Sequence, residues 1–359
     1  MTAGALADPA AQGRLCRFIT AAAAARAVTI AKLEPLRGGA IQENWAVDVD
    51  VDGGPQAGRH ALVLRTDARS RVAASHGRAQ EFALLQAANA AGVTVPEPLW
   101  ICTESAVLGR DFYLMRRMPG VAAGYRLVKD MSLGGPRDAL AERLGRELAR
   151  IHTITPQTIA ALAPGISFEF LGRPSVNPGL DRVGLYRAYL DELPARRPVL
   201  EWGLRWLEMR ARPIETVTLV HQDFRTGNYL VDAQGLTAIL DWEFCAWGDP
   251  QSDIGWFCAK CWRFGANDRE AGGIAARAAF YRGYESASGR RIEAAAVHYW
   301  EIAAHVRWAV IALQQAARHL SGTEPSLELA LTGRIVPELE LEILNLIDDA
   351  AAMQAGRAA

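Results

Sequence analysis

The segment VHQDFRTGNYL, between Val220 and Leu230, packs His221, Asp223, Arg225 and Asn228 into one short stretch. Soon after it, the apolar run AIL ends in DWEFCAWGDP, which opens with Asp241. Taken singly, Asp and Asn in such places are ordinary turn residues. Taken together they suit phosphoryl transfer. That reaction needs an aligned hydroxyl, a base for its proton, and magnesium to neutralise the phosphate charge. Magnesium takes hard oxygen ligands, commonly one or two carboxylates completed by phosphate oxygens and water. An Asp followed five residues later by an Asn can direct one side chain at a substrate and the other at a metal. A further Asp beyond a hairpin can supply the second protein ligand.

Upstream residues extend the pattern. LRGGAIQENWAVDV reads as strand, Gly turn (Gly38, Gly39) and strand, a shape able to lie over phosphates. ALVLR places a cation, Arg65, at the end of the next strand, and the helix that follows offers Glu81. A strand cation held by a helix carboxylate is the arrangement that grips α- and β-phosphates. Gly turn, cation, helix Glu, Asp/Asn loop and late Asp occur in that order.

The elements that must position these residues are legible in outline. Ala10 to Ala27 has helix-forming composition. AVTIAKLEPL, ENWAVDVDV and RHALVLRT read as strands separated by Gly- and Pro-containing turns. Gly77 to Ala91 has an amphipathic helical period with Phe82, Leu85 and Ala88 on one face. VPEPLWICTE and GRDFYLMRRM read as two more strands before the break at Met118-Pro119-Gly120. Beyond it the chain turns helical: Pro136 to Ile151, Asp268 to Ser286, Arg291 to Leu320 and Ser326 to Gln354, with a short strand and a hairpin around DAQG between Val217 and Trp242. The expected organisation is a tail and helix over 1–26, a nucleotide-binding lobe over 27–118, and a catalytic and acceptor-binding lobe over 119–359.

Bulk properties narrow the function. The chain has 359 residues, enough for two domains, and a net charge of −1, which does not favour a nucleic-acid partner. Five cysteines, an odd number in a long chain, argue against a disulfide framework and for a reducing compartment. The N-terminus shows no secretory pattern and the apolar segments are too short or interrupted to span a bilayer, so a cytoplasmic protein without membrane association is expected. Cys258 and Cys261 form a lone C-x-x-C; without a second pair they are read as structural cysteines in a helix, IGWFCAKCWRF. His152, His298 and His305 form no metal-like cluster.

These segments resemble the aminoglycoside phosphotransferase family, which has a protein-kinase-like fold. The family's H-G-D-x-x-x-x-N, D-W-E and G-D-P-x-x-D correspond to HQDFRTGN, DWE from Asp241 to Glu243, and GDPQSD from Gly248 to Asp253. The subgroup resembling the kinase-like domain fused to some acyl-CoA dehydrogenases also shares V-L-R, V-P-x-P and L-G-x-x-F-Y-x-M with this chain. The resemblance implies an α+β, bilobal fold: a small mixed N-lobe with an antiparallel sheet and one main helix, and a larger, mostly helical C-lobe. It implies ATP (or GTP) and Mg2+ as cofactors. Asp223 is then the catalytic base, His221 its buttress, and Arg225 belongs to the same catalytic motif. Asn228 and Asp241 bind the metal, Asp253 steadies the loop, and Gly38, Gly39, Arg65 and Glu81 serve the nucleotide. Met115 to Met118 forms a hinge whose backbone meets the adenine. Two positions depart from the family: Gln222 stands where Gly is usual, and Arg65 where most members have Lys. The expected acceptor is a small-molecule hydroxyl, with a hydroxyacyl compound favoured by the aromatic content from Trp247 to Phe264. Aminoglycoside, macrolide and choline stay open, as does a nucleotide-binding protein without catalysis. The sequence leaves the oligomeric state open.

Overall fold

Strand alternation builds the first sheet. In a computed structural model that describes residues 6, 8–36, 42–67, 75–193 and 195–358, five antiparallel strands run in the order β1-β2-β3-β5-β4. They are β1 (Ala27–Leu36), β2 (Gln42–Asp52), β3 (Gly58–Asp67), β4 (Pro98–Cys102) and β5 (Phe112–Arg116). Trp45, Val47, Val49 and Val51 of β2 are buried, while the intervening Asp48 and Asp50 are half-buried. With Leu62 and Leu64 of β3, and Phe112 and Leu114 of β5, they form a core that Leu15 and Ile19 of helix α1 (Pro9–Ala22) complete. Because side chains alternate along a strand, Val63 and Arg65 point to the opposite face. Helix α2 (Arg78–Ala90) packs there, with Phe82 5.6 Å from the Tyr113 ring. Arg65 is paired with Asn44 on one side and Tyr113 on the other, which fixes its place in the sheet.

The remaining elements are the one-turn helix α3 (Ser105–Leu108), α4 (Gly124–Lys129), α5 (Arg137–Ile151), the one-turn helix α6 (Ile159–Leu162), α7 (Pro178–Asp191) and α8 (Pro198–Arg210). They are followed by β6 (Thr218–Val220), β7 (Tyr229–Val231), β8 (Leu236–Ile239) and β9 (Ala246–Gly248). Last come α9 (Pro250–Cys258), α10 (Arg277–Ser288), α11 (Ala294–Leu320), α12 (Leu327–Arg334) and α13 (Val336–Ala358). The chain forms two compact units: one of residues 1–136, 157–172 and 227–245, the other of residues 137–156, 173–226 and 246–359. The first holds the five-stranded sheet and the β7–β8 hairpin; the second is mostly helical and holds the β6–β9 pair.

In the second unit, Leu200, Leu204 and Leu207 of α8 pack with Val306 and Val310 of α11 and Ile343 of α13. Gly145 of α5 and Gly283 of α10 let those helices touch backbone to backbone. A Cβ on Gly283 would fall 2.0 Å from the Glu142 carbonyl oxygen, and one on Gly145 2.2 Å from that of Phe280. Three helical expectations shift. The helix expected from Asp268 starts at Arg277, because Gly272 and Gly273 adopt φ of 59° and 75°, which no helix accommodates. The helix expected over Ser326 to Gln354 is two, broken at Ile335, where Pro337 cannot donate into a continuous ladder. In IGWFCAKCWRF the helix stops at Cys258, and Lys260–Trp262 form a separate 3-10 turn. Among the described residues no helix is long and apolar enough to cross a membrane.

Candidate active site

In the helical unit, β6 delivers the chain to His221, and α9 receives it from the other side. The GDP of GDPQSD starts α9: the Asp249 carboxylate caps the helix by accepting the Gln251 N–H at 2.9 Å, and Pro250 fits the first turn, where no N–H is needed. One turn on, Asp253 is 1% exposed. Its Oδ2 accepts the His221 N–H at 2.6 Å and its Oδ1 accepts the Gln222 N–H at 2.8 Å. The His152 Nε2 lies 3.2 Å from Oδ2, and the His152 Nδ1 lies 2.9 Å from the Tyr284 hydroxyl. Burial by itself would raise the Asp253 carboxyl, but the His152 contacts and the His221 backbone N–H outweigh it and hold the group below its ordinary value.

This clamp explains the departure at 222. Gln222 has φ of 67°, in the left-handed region where Gly is at ease and an L-residue is strained. Its N–H is fixed by Asp253, and its carbonyl accepts from the Arg307 guanidinium of α11. Two anchored backbone groups hold a conformation that Gly would adopt unaided. Asp223 follows, its side chain 13% exposed. Arg225 Nε and Trp256 Nε1 each donate to Asp223 Oδ1 at 3.1 Å. The Asp223 N–H donates to His221 Nδ1 at 3.3 Å, so a neutral His221 carries its proton on Nε2. Arg225 and Arg307 lie over indole rings: Arg225 is 4.4 Å from the Trp262 centroid, and Arg307 4.4 Å from that of Trp256, a cation–π arrangement. Thr226 ends the loop by donating its hydroxyl to the Gly272 carbonyl at 2.7 Å.

In the sheet unit, the β7–β8 hairpin pairs Tyr229 with Ile239. One step beyond that pair, the Leu240 N–H donates to the Asn228 carbonyl at 2.8 Å. Asn228 and Asp241 therefore leave the same end of the hairpin. Asp241 has φ of 63°, a conformation Asp tolerates better than most residues. Its Oδ1 accepts from Arg65 Nη2 at 2.7 Å. Arg65 also meets Glu81, through Nε at 3.1 Å and Nη2 at 3.0 Å. Burial alone would lower Arg65, but Glu81 and Asp241 outweigh it and keep the guanidinium firmly charged. The bidentate fork meets two carboxylates at once, which a Lys ammonium does not reproduce.

Arg78 and Glu243 are among the participants not singled out from the sequence. Arg78, with its side chain fully buried, pairs with Glu81 and, through Nε at 2.9 Å, with Asp67. Glu243 accepts from the Ser75 hydroxyl, and burial pushes its carboxyl up. The signal for Arg78 was its spacing of three from Glu81 at a helix start. Gly38 and Gly39 lie outside the described residues. Met115 is buried in β5, opposite Val63, and Met118 is half-buried just beyond it. Cys258 is buried and its thiol is pushed up to about 12 by burial, the mark of an inert structural cysteine. Among the described residues, no group of three or more His, Cys, Asp or Glu could hold a metal by itself. Asn228 and Asp241 offer one amide and one carboxylate oxygen donor, half-shells of the hard type that magnesium completes with phosphate and water.

Comparison with known proteins agrees with this architecture. The mouse protein acyl-CoA dehydrogenase family member 10 is 28% identical over 209 residues, which are 56% of this chain and 18% of that protein. The chain thus spans about a fifth of that relative's length. A solved structure from Ralstonia eutropha JMP134, provisionally assigned as an aminoglycoside phosphotransferase, superposes with a TM-score of 0.73 at 20% identity, covering 94% of this chain and 98% of that one. Spectinomycin phosphotransferase, solved with ADP and spectinomycin, gives a TM-score of 0.58 at 11% identity over 92% and 97% of the two chains. The fold is thus α+β and protein-kinase-like. The family model described as the phosphotransferase enzyme family matches residues 32–290, well over half of the sequence, and the chain belongs to that family.

Proposed function

We propose that the protein transfers the γ-phosphate of ATP, or of GTP, to a hydroxyl group of a small molecule. The observation that carries this reading is the loop around Asp223: a strained, clamped turn that presents one carboxylate, with an Asn five residues on and Asp241 at the end of the same hairpin as that Asn. Asp223 accepts the proton of the acceptor hydroxyl as the oxygen attacks phosphorus. Arg225 and Trp256 fix its Oδ1, which leaves the carboxylate one orientation. His221 holds the Asp223 backbone through its Nδ1, and Asp253 holds His221 and Gln222. Asn228 and Asp241 would hold Mg2+, which supplies neutralisation of phosphate charge. Arg65, positioned by Glu81, serves the α- and β-phosphates, Gly38 and Gly39 cover them, and the backbone from Met115 to Met118 meets the base.

The acceptor we favour is a hydroxyacyl compound. A polycationic aminoglycoside asks for an acidic surround. Among the side chains that reach Asp223 are Arg225 and Trp256, with Trp262 beneath Arg225. The relatives named as acyl-CoA dehydrogenase family members point the same way. We place the protein in the cytoplasm, without nucleic-acid or membrane partners. One screen tests the reading: ATP and GTP consumption with hydroxy acids, hydroxyacyl-CoA thioesters, aminoglycosides, macrolides and choline. Asp223→Ala should lower turnover by about 10²–10⁴-fold, the usual worth of a general base, and leave nucleotide affinity near that of the wild type. Wild-type turnover in that variant removes Asp223 from its role.

A further inference from the structure

Beside Asp223, within the helical unit, lies a cavity of about 30 Å3 lined by Arg182, Tyr186, Gln222, Ser252, Trp256 and Arg307, among others. Gln222 precedes Asp223 in the chain, and Trp256 donates to its carboxylate, so the cavity adjoins the group that receives the acceptor's proton. Two of the residues that line it are arginines on different helices, Arg182 on α7 and Arg307 on α11. Among the described residues, neither has a carboxylate within 4.0 Å. Arg307 donates to the Gln222 carbonyl and, at 3.4 Å, to Gln222 Oε1, and it lies on the Trp256 ring. Burial pushes Arg307 down from its ordinary value and Arg182 adds to that effect, while Tyr186, Asp223 and Asp253 oppose it. Asp253 also borders the cavity, but its two oxygens are engaged by the His221 and Gln222 N–H groups. Two like charges sharing a small, aromatic-walled space repel each other, and an anion between them relieves that cost.

We propose that Arg182 and Arg307 form a carboxylate-binding subsite, so that the acceptor is a hydroxy acid taken as the free acid. The inference rests on the phosphotransfer reading and deepens it. Size selects the anion. A water needs roughly 10–15 Å3 of such space, so the cavity admits about two water-sized groups, the two oxygens of a carboxylate. The diphosphate of a nucleotide or of coenzyme A does not fit. Guanidinium forks bind carboxylates through paired, charge-assisted hydrogen bonds, and helix-borne arginines hold them in fixed geometry. The length between carboxylate and hydroxyl then decides which hydroxy acid brings its oxygen to Asp223.

The test uses straight-chain 2-, 3- and 4-hydroxy acids of four to eight carbons, their primary amides and their coenzyme A thioesters. Binding to the full chain is measured by calorimetry, and phosphorylation by ATP consumption. The wild type should bind at least one acid about tenfold more tightly than its amide, the worth of one charge-assisted contact. Arg182→Gln should abolish that preference and leave ATP affinity unchanged; among the described residues Arg182 has no ion-pair partner to lose, and a urea midpoint checks that the variant folds. Arg307→Lys, which keeps the charge, should retain part of it. Acid and amide binding alike, an Arg182→Gln variant that binds the acid as the wild type does, no acid bound at all, or thioesters preferred over acids would each overturn the subsite. An acid bound through Arg182, with neither it nor any other acceptor of the screen phosphorylated, sinks the kinase reading and spares the subsite. Amides phosphorylated as readily as acids do the reverse.

Discussion

Replacing Asp253 by Asn removes one charge and almost no volume, and its consequences follow from three contacts. The carboxylate accepts backbone N–H groups from His221 at 2.6 Å and Gln222 at 2.8 Å and meets His152 Nε2 at 3.2 Å. A carboxamide has one oxygen, so one of the two N–H groups faces an NH2 and loses its acceptor inside the protein. Hydrogen bonds to a charged group contribute about 1.5–3 kcal/mol, and a buried donor left unmatched adds its desolvation. The φ of 67° at Gln222 stores about 1 kcal/mol of strain, which the loop can release once the clamp is lost and which offsets part of that cost. Together these give a loss of about 2–4 kcal/mol, read as a lower urea midpoint. Amide exchange at His221 and Gln222 should accelerate more than at the core of α11. A loop displaced by about 1 Å costs about 10² in turnover, so kcat should fall on that scale while nucleotide affinity holds. The acid dependence has a definite sign. The Asp253 carboxyl sits below its ordinary value in the fold, so its contribution is present above the unfolded value of about 3.9 and is lost as the pH drops from there. The Asn variant should therefore show a shallower acid limb. A variant within about 0.5 kcal/mol of the wild type, with His221 and Gln222 amides as protected as before, would refute the clamp.

Other perturbations follow from the same geometry. Arg65→Met removes one of the two guanidinium partners of buried Glu81, with Arg78 remaining, and should cost about 1.5–3 kcal/mol in a urea titration; Arg65→Lys should cost less, because a point charge keeps one of the two contacts. Gln222→Gly should stay within about 1 kcal/mol of the wild type, relief of strain offsetting lost contacts, whereas Gln222→Val should be clearly less stable. His305 is buried, donates its Nδ1–H to the Glu301 carbonyl, and is pushed down to about 4, first by burial and further by Arg263 and Lys260, with Glu342 opposing. The unfolded chain takes up that proton near pH 6.5 and the fold does not, so stability should decline between about pH 6.5 and about 4, by up to about 3 kcal/mol. His305→Gln should flatten that part of the urea-midpoint profile.

Local order was legible in the sequence wherever it repeats with a short period. The alternation of Val47, Val49 and Val51 with aspartates marks β2 as half-buried whatever packs on it. The Phe82, Leu85 and Ala88 stripe marks α2. The five-residue interval from Asp223 to Asn228 is likewise a property of the chain alone. What the tertiary structure decided are pairings between distant residues. Arg65 meets Asp241 across 176 positions, and Arg307 reaches the Gln222 carbonyl across 85. Spacing rules end at one helical turn or one hairpin, and such contacts depend instead on helix packing and strand order. Arg307 looks in the sequence like a stray charge in the apolar stretch VRWAVIAL; only the packing of α11 turns it onto Trp256 and into a cavity with Arg182. For the same reason Gln222 reads as a departure from a Gly pattern until its φ and its two backbone anchors show what holds it.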